Sequence, residues 1–178
     1  GLAFGVNANK VFYYGGDVTG VGGSGFFTQT GTTNITNGSW VHVAMIVNGT
    51  SITGYVNGTQ DTGLSRTLGA NIVYRGQHKN TIGVRTGSFG SYGWWNGKVD
   101  QVRVFNTALS ASQITTLARG SATAYNGGET NITWQNGRFN ECAYFNGSNS
   151  QITINNFATL SQVGLSFWIN LPDITAQA

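Results

Sequence analysis

The stretch "SWVHVAMIVNGTSITGYVNGTQ", residues 39–60, decides how this chain is read. Two runs rich in β-branched and aromatic residues flank Asn48-Gly49, and a second Asn-Gly follows at Asn57-Gly58. Asn-Gly accepts the positive φ that tight hairpin turns require. Alternation puts Trp40, His42, Ala44 and Ile46 on one side and Val41, Val43, Met45 and Val47 on the other. A strand apolar on both sides belongs between two layers. The stretch therefore predicts a central antiparallel hairpin over 40–57, turning at Asn48-Gly49, inside a layered β structure.

Working outward, short strand patterns recur on both sides. "LAFGV" (2–6), "VFYY" (11–14) and "GFFTQ" (25–29) precede the hairpin, the last two separated by the Gly-rich loop "GGDVTGVGGSG" (15–25). That loop lacks the Gly-Lys-Ser/Thr ending of a phosphate-binding loop and leads into a strand, not a helix. "NTIGVR" (80–85) and "GKVDQVRVF" (97–105) follow the hairpin. One helix is predicted at 110–119. Ser110 and Gln113 have the spacing of a capping box, Leu109 and Ile114 that of a hydrophobic staple, Arg119 sits in the last turn and Gly120 at the C-cap. After a polar segment come "CAYFNG" (142–147), "QITI" (151–154) and "VGLSFWIN" (163–170). The expectation is an all-β, two-sheet antiparallel jelly-roll sandwich with one short helix.

Composition narrows the function classes. Charged residues are 8 % of the 178 and hydrophobic ones 39 %, so this is not a charge-rich disordered chain. Asn, Thr, Ser and Gly carry its solubility. The net charge is +3, with Lys and Arg scattered, which argues against a nucleic-acid footprint. No apolar run approaches the ~20 residues of a membrane helix, so no membrane insertion is expected. Cys142 is the single cysteine and can form no intrachain disulfide. Six Asn-x-Ser/Thr sequons occur, where this Asn-, Ser- and Thr-rich composition gives about four by chance, so they are not read as glycosylation sites.

These residues carry a resemblance. "GSWVHVAMIVNGTSITGYVNG" resembles the central hairpin of laminin G-like, concanavalin A-like jelly rolls, and "TIGVRTGSFGSYGWWNGKVDQVRVFNTALSASQITTLARG" resembles their closing strands and helix. "AYFNGSNSQITI" followed by "LSFWIN" resembles the opening of such a domain, yet it stands at the end of this chain. The resemblance thus implies an out-of-phase domain. Residues 1–120 form its central and closing part, 121–141 a linker, and 142–178 its front strands. Those strands could fill their own chain's sandwich, a neighbouring subunit's or the next repeat's. In "LSFWIN", Leu165, Phe167 and Ile169 share the face expected to be buried.

Candidate site residues follow. Some relatives hydrolyse glucans, which takes two carboxylates in different protonation states. The six acids Asp17, Asp61, Asp100, Glu129, Glu141 and Asp173 are never within ten residues of one another, so no catalytic residue is assigned. Asp100, in a strand, reads as a hydrogen-bonding anchor for a turn or neighbouring backbone. His42 reads as a structural histidine and Cys142 as a buried thiol. Calcium is the one cofactor the resemblance raises, with Asp17 and Asp61 as loop donors. For ligand binding, "SYGWWNG" offers Trp94, Trp95 and Tyr92, with one Trp facing outward. "YRGQHKN" adds Tyr74, Arg75 and His78, suited to an acidic glycan.

The resemblance implies a non-catalytic structural or binding module of a surface assembly. A phage virion component (tail or capsid decoration) or an adhesive appendage is the leading expectation, outside the cell or on the virion surface. Partners would be neighbouring copies, other subunits or glycans. The alternatives are a free carbohydrate-binding module and a glycoside hydrolase remnant.

Overall fold

The computed structural model of the chain describes residues 2–16, 26–69, 71, 80–87, 90–119, 128–154 and 162–172. The strands fall where the sequence alternates. They are β1 (Leu2–Asn7), β2 (Lys10–Gly16), β3 (Phe26–Asn34), β4 (Trp40–Asn48), β5 (Ser51–Val56), β6 (Thr59–Thr67), β7 (Asn80–Ile82), β8 (Arg85–Gly87), β9 (Gly90–Tyr92) and β10 (Asn96–Phe105). The helix α1 (Ala111–Arg119) follows. β11 (Gly128–Thr130), β12 (Thr133–Asn136), β13 (Glu141–Asn146), β14 (Gln151–Ile154) and β15 (Gln162–Asn170) complete the order. β11 and β12 lie in the segment expected to be a linker.

The largest sheet has the strand order β12-β13-β10-β15-β4-β5-β6. A second sheet is β1-β2-β3, a third β11-β14-β7, and β8 pairs with β9. β4 and β5 form the expected hairpin, with Asn48 paired to Ser51. The turn is therefore Gly49-Thr50, one residue later than predicted, because Gly49 takes the positive φ (57°) and Asn48 stays in the ladder. The next turn is Asn57-Gly58, both at positive φ (51° and 80°), as a type I′ turn demands.

The alternation of β4 separates two apolar clusters. Val41, Val43, Met45 and Val47 join Val11, Tyr13, Phe27, Phe145 and Ile169 in the main core. Ala44 and Ile46 meet Tyr55, Leu109 and Ile114 on the opposite face, where α1 covers the sheet. The core side of the large sheet is called its inner face below, and the helix side its outer face.

The helix begins as the sequence dictates. The Gln113 N–H donates to Ser110 Oγ (3.4 Å) and the Ser110 N–H to Gln113 Oε1 (2.8 Å), closing the capping box. Leu109 and Ile114 are buried in one cluster, as a staple requires. Gly120 lies outside the described residues. Ser110→Ala is expected to cost about 1 kcal/mol. Urea unfolding measures this, and an unchanged midpoint would show that the cap contributes nothing.

β15 lies in the middle of the large sheet. It pairs with β4 from Gln162↔Asn48 to Asn170↔Trp40 and with β10 on its other side, where a bulge falls between Asp100 and Arg103. Ile169 is buried in the core, and the Phe167 ring packs edge-on against Phe4 at 5.8 Å. Leu165 and Phe167 are only partly buried, whereas Ser166 and Trp168 on the other face are buried. The face expected to be buried is therefore buried at Ile169 and in part at Phe167 and Leu165. Flanked on both sides and overlaid at Trp168 by the Arg138 guanidinium, the strand buries part of its outer face as well.

Candidate functional site

The outer face of the large sheet gathers most of the polar residues that could act. Register aligns His42, Trp168 and Asp100 across β4, β15 and β10. The adjacent row runs Trp40, Asn170, Lys98, Tyr144 and Thr133 across five strands. With strands about 4.8 Å apart, that row spans roughly 19 Å. Its first four side chains are partly exposed and Thr133 is exposed. Asn170 donates from Nδ2 to the Gly38 carbonyl (2.7 Å), and Lys98 Nζ reaches the Asn136 carbonyl (3.5 Å).

The row of His42, Trp168 and Asp100 is covered at its Asp100 and Trp168 positions by the turn between β12 and β13. Asp100 Oδ2 accepts the N–H groups of Arg138 and Phe139, both at 3.0 Å. The Arg138 guanidinium then lies 4.0 Å from the centre of the Trp168 ring. Asp100 is thus the anchor of a turn. Glu141 projects by alternation to the inner-face side of β13 and Asp61 to the inner side of β6, so neither shares Asp100's face. Among the described side chains, no carboxylate pair flanks a space where a glycosidic bond could lie. Cys142 is buried, with Sγ 3.5 Å from the Asn136 carbonyl, and burial pushes its thiol pKa up. A thiol held protonated is a poor nucleophile.

His42 is fully buried on β4. Its Nε2 is 2.7 Å from Ser166 Oγ on β15, and its Nδ1 is buried with no partner among the described residues. Burial, and secondarily the nearby Arg103 cation, lower its pKa from 6.5 to about 4. The imidazole is a neutral cross-strand tie.

Asp61 is not a loop donor. It sits in β6, 2 % exposed, and its oxygens accept the N–H groups of Thr32 (2.9 Å), Thr33 (2.8 Å) and Gly63 (2.9 Å) and the Thr32 hydroxyl (2.9 Å). These bonds join β3 of one sheet to β6 of the other. Gly63 permits the approach, since a Cβ there would lie 2.5 Å from the Thr30 carbonyl oxygen. A carboxylate taken up by main-chain donors is not placed to ligate calcium. Among the described residues no three His, Cys, Asp or Glu side chains come together. Asp17, the other expected donor, lies outside the described residues.

Of the aromatic candidates, Trp95 packs partly buried against the main core, its main-chain N–H donating to the Gly83 carbonyl (2.7 Å). Its Nε1 is buried without a partner among the described residues. Trp94 is also partly buried. Tyr92 ends β9. Tyr74, Arg75 and His78 lie outside the described residues. The row of Trp40, Asn170, Lys98 and Tyr144 was missed. Its signal is the outward-facing alternate positions of "SWVHV", "FWIN", "GKVD" and "AYF", which line up only once the order of the strands is known. Away from this row, an open groove of about 340 Å³ runs beside α1, lined by Phe105, Leu109, Ser112, Gln113, Thr116 and Leu117.

A family model described as the concanavalin A-like lectin/glucanases superfamily, of laminin G-like type, matches residues 1–115. The chain belongs to this superfamily. No curated protein and no solved structure matches it. The match takes in the laminin G-like domain's central hairpin, its β10 strand and the first turn of α1. The superfamily's description covers both sugar-binding and sugar-cleaving proteins, so the choice between them rests on the residues of this domain.

Proposed function

We propose that this laminin G-like domain is a non-catalytic binding module of an extracellular or virion-surface assembly, such as a phage tail or capsid decoration or an adhesive appendage. The observation supporting it is the state of Asp100. The one described carboxylate on the outer face of the large sheet is committed to the β12–β13 turn and has no acidic partner there. A retaining or inverting glycosidase needs two carboxyl groups about 5–9.5 Å apart across the bond. Incubation with β-glucans should release no reducing ends. Antibodies against the domain should label the outside of the intact particles or cells that carry it. Hydrolysis lost on replacing Asp100, or labelling only after lysis, would contradict the reading.

A second reading, carbohydrate binding, is favoured by the outer-face row. Two aromatic rings, Trp40 and Tyr144, flank an amide and an ammonium, a mixture that suits the apolar face and hydroxyl edges of a sugar chain. Tyr144→Ala should then weaken a glycan found on an array by about 0.5–1.5 kcal/mol, a 2- to 12-fold loss. Trp94→Ala and Trp95→Ala test the alternative surface, formed with Tyr92, Tyr74, Arg75 and His78. A loss confined to those variants would move the site there, and an array with no retained glycan would end this reading.

A further inference from the structure

We propose that His42 is an acid-sensitive latch on the C-terminal strand: protonating its buried imidazole loosens β15 from the middle of the large sheet. The latch is built from geometry. β15 is held between β4 and β10, and on the outer face two described side-chain hydrogen bonds tie it to β4: the buried His42 Nε2···Ser166 Oγ at 2.7 Å, and at the far end of the pairing an exposed bond from Gln162 Nε2 to Asn48 Oδ1 at 2.9 Å. The Trp168 ring stands edge-on to the imidazole at 5.3 Å and shields it from water. His42 and Ser166 are 0 % and 2 % exposed.

Among the described residues, each charged group around the imidazole disfavours a second proton or is already engaged. β10 brings Arg103, in register with Ser166 on the same face, so an imidazolium would face a cation. β10 also brings Asp100, but that carboxylate lies beyond Trp168 and is held by the Arg138 and Phe139 N–H groups. The β12–β13 turn adds Arg138, stacked on Trp168. β15 contributes no titratable group, and at the β5–β6 turn the uncharged Asn57 side chain accepts the His42 main-chain N–H (3.0 Å). α1 has one charged residue, Arg119, exposed at its C-terminal end. In the imidazolium both ring nitrogens are donors, so Nδ1 would be a buried donor with no acceptor among the described residues.

The direction with pH follows. In the closed strand the imidazole protonates near pH 4, and in an opened strand near its ordinary 6.5. Above about pH 6.5 both forms are neutral and the closed form keeps its full advantage. As pH falls from 6.5 to 4 the opened form alone takes up the proton, and the closed form loses ground. Between pH 7 and pH 4.5 the opened population should rise about 50-fold.

Hydrogen exchange tests this, read as protection factors so that the intrinsic pH dependence cancels. In the wild type, β15 amides should lose about 50-fold in protection between pH 7 and pH 4.5, more than those of β2. In His42→Gln, which cannot ionise, the loss should disappear. Wild-type β15 protection that does not change, or an equal loss in the variant, would overturn the proposal. Should the variant not fold, the ¹⁵N shifts of the wild-type His42 ring decide. An imidazolium that appears together with opening supports the latch, and one that forms while β15 stays protected refutes it.

Discussion

Phe145→Ala is expected to destabilise the domain by about 3–5 kcal/mol. Phe145 belongs to β13, in the part of the chain that reads as the displaced front of a fold. Its side chain is fully buried in the main core. The ring lies against Gly83, whose absent side chain leaves it room. Truncation removes the buried ring and leaves a cavity floored by backbone, which cannot collapse to fill it. The loss approaches the whole stability of a small domain. Urea unfolding at several protein concentrations measures it. A loss below about 1 kcal/mol would mean that β13 is not part of the core.

Asp61→Ala is expected to cost about 3 kcal/mol, because it strips the N–H groups of Thr32, Thr33 and Gly63 of their shared acceptor. The same carboxylate makes stability depend on acid. Burial by itself would raise its pKa, but the hydrogen bonds from Thr32 and Thr33 outweigh burial and hold it down from 3.8 to about 2. The unfolded chain therefore takes up this proton first. Asp61's contribution is complete above about pH 4 and is lost as pH falls to about 2, amounting to about 2.5 kcal/mol. Circular dichroism through acid titration follows it. Asp61→Asn should flatten the stability profile between pH 4 and pH 2, and a slope equal to the wild type's would assign that acid sensitivity elsewhere. The window is separate from the one assigned to His42, which lies between pH 6.5 and pH 4.

The sequence reveals what is local. The β4–β5 hairpin is legible because Asn-Gly turns and two-faced alternation act over a few residues. The helix is legible because Ser110, Gln113, Leu109 and Ile114 lie within one turn and a half of each other. The turn between β4 and β5 was misplaced by one residue because Asn48 and Gly49 both accept positive φ, and only the ladder decides which one takes it. β12 was missed because its four residues are polar apart from Trp134, which is 49 % exposed, so no buried side gives it a period.

What the sequence conceals depends on contacts between distant residues. Asp61 looked like a loop acid until β3, about thirty residues earlier, supplied its donors. His42 was read as structural from its neighbours, but its partner Ser166 is 124 residues away. The polar row on the outer face needs five strands in order before its members meet. Of the site expected from sequence, Trp94 and Trp95 are placed, but as partly buried residues, with Trp95 turned toward the core.

Nuclear Overhauser contacts in a dilute sample mixing isotope-labelled and unlabelled protein test whether β15 completes the large sheet of its own chain. The ring pairs Phe4–Phe167 and His42–Trp168, with centroids 5.8 Å and 5.3 Å apart, report on the inner and outer faces of β15. Both contacts should appear within the labelled chains and vanish from the spectrum filtered for contacts between chains. Contacts seen only between chains, or not seen at all, would contradict the account.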